Sequence, residues 1–169
     1  MRQTSFAEMH CSLARSLDLV GDWWSPLILR DLFLGARRFD ELVGDLGISR
    51  NLLTMRLTAL VDAGVVERTP YQERPVRHGY SLTEAGRDLV PILLALTAWG
   101  DRWAGLTEPP ITFRHHDCGH AFIPTVRCSE CGAEIKADDV DPVPGGGARV
   151  APGTRLVGDF LARRAQGVE

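Results

Sequence analysis

The stretch RRFDELVGDLGISRNLLTMRLTALVDAGVVERTPYQERPVRHGYSLTEAGR, residues 37–87, decides the fold. Phe39 leads into DELVGDL, where Asp40 is an N-cap or first-turn acid and Leu42, Val43 and Leu46 form an inward helical row. Gly47 makes the turn. Ser49 is placed to cap a second helix, in which Leu53, Leu57, Leu60 and Val61 recur at i, i+4, i+7 and i+8 and share one buried face. Gly64 closes that helix. VVERT then alternates as a short strand before Pro70, QERPVR makes a tip, and HGYSLT returns as a second strand. Helix, glycine turn, helix and two-stranded wing in this order specify a winged helix-turn-helix, whose second helix is shaped for the major groove of double-stranded DNA.

Burying those leucines leaves Asn51, Met55 and Thr58 facing away from the core, flanked by Thr54, with Ser49 and Arg50 at the exposed N-terminal end. The chemistry suits base edges. Arg forks onto guanine, Asn onto adenine, Thr and Met touch a thymine methyl, and the helix N-terminus attracts phosphate. The same side chains on a solvated helix carry no such meaning, so the flanking elements must decide. Arg74 and Arg77 at the wing tip, with Arg37 and Arg38 ahead of the first motif helix, are candidates for phosphate contacts. Glu73 dilutes the tip charge, and loop arginines are also ordinary surface residues.

Outward from the motif, Leu13, Leu17 and Val20 recur at helical spacing, and after Gly21-Asp22 a second apolar helix carries Trp24, Leu27, Ile28, Leu32 and Phe33 to Gly35. Both helices read as core. On the other side, EAGRDLVPILLALTAWGDRW from Glu84 reads as one helix with a kink at Pro91. Its Leu89, Val90, Ile92, Leu93, Leu94, Leu96, Trp99 and Trp103 cover more than one face, and an apolar surface that broad needs a partner.

Taken together, Cys11, the LILRDL helix, RRFDEL, ISRNLLTMRL, GVVERT and YSLTEAG resemble the HxlR-type (MarR-like) winged helix regulators of bacteria, over roughly residues 8–103. The resemblance implies a homodimeric DNA-binding transcription factor, a repressor that occupies promoter DNA, and not an enzyme. It implies a two-fold interface built from the N-terminal and post-wing helices, with Leu13, Leu17, Leu89, Leu93, Leu96, Trp99 and Trp103 as its candidates. A symmetric dimer implies a roughly palindromic operator with half-sites about one or two helical turns apart. At Met55 and Thr58 relatives often carry more strongly hydrogen-bonding side chains. Some relatives sense electrophiles or oxidants with an N-terminal cysteine, which makes Cys11 a candidate thiol sensor and a small-molecule or redox compound the effector class. Arg15, one turn on, is the cation that would favour its thiolate, although a free cysteine is also a common small core residue.

A second cluster lies beyond that match. HHDCG at residues 115–119 and CSECG at 128–132 are two knuckles of the form ligand, two spacers, Cys, Gly. His115, Cys118, Cys128 and Cys131 offer one nitrogen and three sulfurs at zinc-ribbon spacing, with His116 and His120 as rival ligands. A closed four-ligand Zn2+ site is structural, because catalysis needs an open position. Two other classes compete: a metal-dependent enzyme using Glu130 or Glu134 as base, and a protein-interaction module docking through this cluster and the apolar helices. No companion acid/base motif supports the enzyme.

The bounds agree with a regulator. At 169 residues and 44% apolar, the chain can bury one main core and a minor one, and a net charge of −3 argues against indiscriminate coating of nucleic acid. All basic residues but Lys136 are arginine, which suits forked contacts. No apolar run approaches the roughly 20 residues of a membrane span and no signal layout opens the chain, so a cytoplasmic, nucleoid-associated bacterial protein without membrane partners is expected. In that reducing compartment cysteines serve as thiols or metal ligands. The expected class is mainly α with a small β-wing (α+β). Residues 1–106 form the winged helix-turn-helix and dimerisation domain, 107–140 a small zinc-ribbon-like β module, and 141–169 a mobile Pro/Gly linker with a short amphipathic helix through Leu156, Val157, Phe160 and Leu161.

Overall fold

A computed structural model describes residues 5–165. Helix α1 (Ser12–Val20) runs into α2 (Ser25–Leu34) through Gly21 and Asp22. Asp22 explains why α2 begins where it does: its Oδ1 accepts the backbone N–H of Trp24 at 2.8 Å and of Ser25 at 3.1 Å, and its Oδ2 accepts the Ser25 hydroxyl. Gly35 ends the helix at φ 110°, a left-handed conformation that favours glycine. The motif follows as α3 (Phe39–Leu46), a turn at Gly47, and α4 (Arg50–Asp62) capped by the Ser49 hydroxyl, which accepts the Leu52 N–H at 3.3 Å. Asp40 proves to be a first-turn acid, since Arg38 holds the cap position.

The core lies where these helices meet the base of the wing. Ile28, Leu29 and Leu32 of α2, Leu42 and Ile48 around the turn, Leu53, Leu57 and Leu60 of α4, and Val65, Val66 and Leu82 form one buried cluster. Each leucine that α4 buries stabilises this arrangement by about 1.5–3 kcal/mol, which is what fixes the outward face of the helix. A second anchor is the ion pair between Arg56 Nε of α4 and Asp22 Oδ1 at 3.2 Å, close enough for attraction but not aligned as a hydrogen bond. Asp31 is also buried. Arg30 donates to its Oδ1 at 2.8 and 2.6 Å, but burial outweighs this help and holds the carboxyl above its usual range.

The wing is longer than the alternation predicts. Strand β1 (Val66–Glu73) pairs antiparallel with β2 (Val76–Leu82), from Val66 opposite Leu82 to Glu73 opposite Val76. Pro70 does not end β1, because a strand with a single neighbour has one free edge and Pro lacks only the N–H. The register shifts between Pro70 and Gln72, leaving Tyr71 as the extra residue of a bulge. Arg38 adds a bridge to Gly79, and the Tyr80 N–H donates to the Arg37 carbonyl at 2.9 Å, tying the entrance of α3 to the wing.

Three expectations are corrected here. The helix from Glu84 comes in two lengths rather than one: α5 (Glu84–Asp88), capped by Thr83, ends at Leu89, whose backbone stays helical (φ −77°, ψ −21°), and α6 (Val90–Trp103) follows with Pro91 in its first turn, where a missing N–H costs nothing. The two N-terminal helices are only partly core. Ala14 of α1 is buried while Leu13 and Leu17 are exposed, and on α2 Leu27 and Phe33 face outward. The Pro/Gly segment is not a free linker. The His10 N–H donates to Pro152 O at 2.8 Å and His10 Nε2 meets Gly147 O at 2.7 Å, so residues 147–152 lie against the segment before α1. Helix α7 (Arg155–Ala165) follows from there, with Val157 and Gly158 facing His10 and Cys11; the side chain of Leu161 lies outside the described residues. Between α6 and this tail are two short hairpin-like units, one pairing β3 (Phe113–Arg114) with β4 (Ala121–Phe122) and one bridging Arg127 and Glu134.

Candidate nucleic-acid interface

Helix α4 and the wing enclose an open concavity lined by Arg38, Arg50, Arg68 and Arg77, with Thr54, Thr58, Tyr71, His78 and Tyr80 between them. This divides the exposed side of α4 in two. Arg50, Thr54 and Thr58 face the wing across the concavity, whereas Asn51 and Met55 do not line it and stand on the outer ridge. Met55 is 64% exposed, an unusual state for methionine on a well-packed domain. The Thr54 hydroxyl donates to the Arg50 carbonyl at 2.9 Å, so it presents its methyl and oxygen lone pairs rather than a free donor. Ser49 is committed to its cap. Arg74 sits at the tip beside Pro75, outside the concavity.

Three of these four cations are held before any ligand arrives. Arg50 Nη1 lies 2.8 Å from Asp40 Oδ1 and its guanidinium stacks 5.0 Å from the Phe39 ring centroid. Arg38 lies 5.4 Å from the centre of the Tyr71 ring. Arg68 donates to His78 Nδ1 at 2.9 Å. Behind them, Glu41 Oε2 accepts the N–H of Arg37 and of Arg38, both at 2.8 Å, and these two bonds, Arg37 first, hold its carboxyl below the usual glutamate range. A carboxylate in the first turn of α3 thus fixes the backbone from which Arg38 projects.

Arg68, Tyr71, His78 and Tyr80 are absent from the sequence-derived candidates. The signal for three of them was available: Arg68 and Tyr80 are cross-strand partners one pleat beyond the buried Val66 and Leu82, and His78 one pleat further, so period-two counting places all three on the α4 side. Tyr71 is unreadable that way because the bulge puts it out of register.

The remaining candidates fall elsewhere. Leu96, Trp99 and Trp103 of α6 and Leu13 and Leu17 of α1 are exposed, whereas Leu89 and Leu93 pack partly against the core of the same chain. Cys11 is half-buried at the cap position of α1, next to the docked tail. Arg15 is committed differently from the expectation: its guanidinium donates to Ala7 O at 2.6 Å. His115 and Cys118 occupy one tight turn and Cys128 and Cys131 another. The N–H groups of Cys131 and Glu130, pointing at the Cys128 sulfur, pull that thiol below its ordinary range. Among the described residues no helix is long and apolar enough to cross a membrane.

Comparison with known proteins fits this geometry. The model of the HxlR-like helix-turn-helix family matches residues 19–108, from the end of α1 past the end of α6. The HTH-type transcriptional regulator Rv3095 of Mycobacterium tuberculosis, itself uncharacterised, is 49% identical over 137 residues, 80% of this chain and 87% of its own length. Among solved structures, the transcription-factor candidate PA1607 is 35% identical with a TM-score of 0.74, covering 84% of this chain and 100% of that one. The redox regulator HypR in its oxidised form is 34% identical with a TM-score of 0.51, over 54% of this chain and 96% of its own. These relatives are regulators rather than enzymes. A helix and wing lined with arginine, on a fold shared with them across the matched length, leave one conclusion: the chain belongs to the HxlR-like helix-turn-helix family of transcriptional regulators.

Proposed function

We propose that the protein is a homodimeric repressor that occupies a roughly palindromic operator, with α4 in the major groove and the wing beside it. The observation that carries this reading is the concavity between α4 and the wing, with four arginines converging on it from the cap of α3, from α4 and from both wing strands. Arg50, Asn51, Thr54, Met55 and Thr58 read base edges, and Ser49 presents the helix N-terminus to phosphate. Arg38, Arg74 and Arg77 bind the backbone. Arg50 exchanges the Asp40 carboxylate for a guanine edge, a bidentate contact that discriminates by about 1–3 kcal/mol. The dimer joins through α1 and α6, where Leu13 is 68% and Trp99 60% exposed in the single chain, an apolar surface that water disfavours.

The test compares contact types. Operator sequences are selected from random DNA and affinities measured by fluorescence anisotropy at several salt concentrations. Arg50→Ala is expected to weaken operator binding about 5- to 150-fold while leaving random DNA nearly unchanged, and Arg77→Ala to weaken both similarly and flatten the salt slope. Equal losses for both variants on both DNAs would contradict this groove assignment.

Regulation through Cys11 is the second reading, favoured by the likeness to the redox regulator HypR and by the half-buried position of this thiol against the tail. Its test is Cys11→Ser under diamide and quinone: DNA release by the natural chain but not the variant supports a thiol sensor, and identical responses exclude it.

A further inference from the structure

We infer that the turns at residues 115–119 and 128–132 are two halves of one structural zinc site, in which His115, Cys118, Cys128 and Cys131 bind a single Zn2+ and join two hairpins into a ribbon. A repeated backbone carries this, beyond the spacing of the ligands. In the first turn the Gly119 N–H donates to His115 O at 2.8 Å and the His115 N–H to His120 O at 2.9 Å. In the second the Gly132 N–H donates to Cys128 O at 2.9 Å and the Cys128 N–H to Ala133 O at 2.8 Å. Gly119 and Gly132 have the same left-handed conformation, φ 71° and 72°. Each turn sits at the end of a short antiparallel pairing, β3 with β4 in one case and the Arg127–Glu134 bridge in the other.

This equivalence favours His115 over its neighbours as the nitrogen ligand. Matching the bonds aligns His115 with Cys128 and Cys118 with Cys131, while His116 falls opposite Ser129 and His120 opposite Ala133, which are not ligand positions. Distance agrees. A tetrahedral ion with Zn–S of about 2.3 Å and Zn–N of about 2.1 Å has an S···N edge of about 3.6 Å. Cys118 Sγ lies 3.6 Å from His115 Nδ1.

Among the described residues no three of these donors share one coordination sphere, so the halves stand ready but apart. Closing them is what the ion would do, because metal binding and local folding are coupled in modules of this kind. The need for it is visible in the packing: residues 107–140 contain no buried side chain, and Ile123 and Val126 are 79% and 58% exposed. Phe113 packs against Phe33 of α2, ring centroids 6.5 Å apart, which anchors the start of the segment but leaves the two turns without a core between them, the situation in which small modules use a metal or cross-links. Binding takes the three thiols as thiolates and neutral His115, releasing up to three protons to solvent, and leaves no open coordination position for catalysis.

The test uses the full chain purified without chelator, with zinc measured by elemental analysis and order by hydrogen exchange. About one zinc per chain is expected. Cys128→Ser and His115→Ala should each lose most of it and lose exchange protection across residues 113–136, with α4 protection unchanged; His116→Ala and His120→Ala should keep both. Zinc far below one per chain in protein whose α4 remains protected overturns the inference. So does full zinc content in Cys128→Ser, or loss in His120→Ala with retention in His115→Ala.

Discussion

Gly86→Ala sets helix propensity against packing, and the structure decides the sign. Gly86 lies inside α5, where replacing glycine by alanine ordinarily stabilises a helix by about 0.8–1.0 kcal/mol. A methyl at this position would stand 2.2 Å from the Val65 carbonyl oxygen and 3.2 Å from Cβ and Cδ2 of Leu82. Ordinary carbon–oxygen contacts begin near roughly 3.3 Å, so about 1 Å of backbone movement is required. Val65 O cannot easily retreat, since it accepts the Thr83 N–H at 3.1 Å and the neighbouring Gly64 O accepts the Thr83 hydroxyl at 2.7 Å. Overpacking costs about 1–3 kcal/mol, at the upper end when the obstacle is backbone, and subtracting the propensity gain leaves a net loss of about 2 kcal/mol. At about 4–8 °C per kcal/mol for a domain of this size, Tm should fall by about 8–16 °C. Thermal and urea unfolding of the full chain, followed by circular dichroism, reads this directly. Gly44→Ala is the control: Gly44 is also inside a helix, α3, but a Cβ there meets nothing within 4 Å, and the variant should be stabilised by up to about 1 kcal/mol. A Gly86→Ala protein that melts at or above the natural chain would refute the reasoning.

Other perturbations probe other links. Asp22→Ala removes the acceptor at the start of α2 and the partner of Arg56, and should lower unfolding free energy by about 1–2 kcal/mol in urea titrations; no change would mean that the cap is redundant. The Glu41 carboxyl is held below its usual range in the folded chain, so its contribution is present above the ordinary glutamate pKa and is lost as pH falls through the folded value. Glu41→Gln should therefore be less stable than the natural chain at neutral pH and converge with it in acid, and a gap that persists in acid would assign the effect to shape rather than charge. Trp99→Glu should weaken self-association by about 30-fold or more, as expected for an aromatic anchor, read as a shift toward monomer in sedimentation; an unchanged dimer would place the interface elsewhere.

The parts of the fold legible in the sequence are those fixed by local chemistry. The left-handed turn at Gly47, the Ser49 cap and the leucines of α4 each follow from one or two neighbours, and the structure places them as the pattern predicts. What spacing hides is anything decided across the chain. The Arg50–Asp40 pair closes over the helix-turn-helix corner, and no periodicity announces it. Leu13 and Phe33 look like core because hydrophobic pattern reports an apolar face without naming what covers it. Pro70 reads as a strand end because a sequence does not reveal which edge of a strand is free. Tail docking on His10 depends on carbonyls of Gly147 and Pro152, which have no side-chain signature at all.

The junction at Leu89 has a geometric consequence. Helix α6 has 14 residues and is about 21 Å long, so a rotation of about 10° where it leaves α5 swings its far end by about 3.7 Å. That is close to one base-pair step, roughly 3.4 Å along a strand. If the proposed dimer joins along α6, the angle at Leu89 would help to set how far apart the two α4 helices stand. Because Leu89, Val90 and Leu93 pack against the core, that angle is set by packing within the chain, so in such a dimer core substitutions there would shift operator spacing without touching any residue proposed to meet DNA.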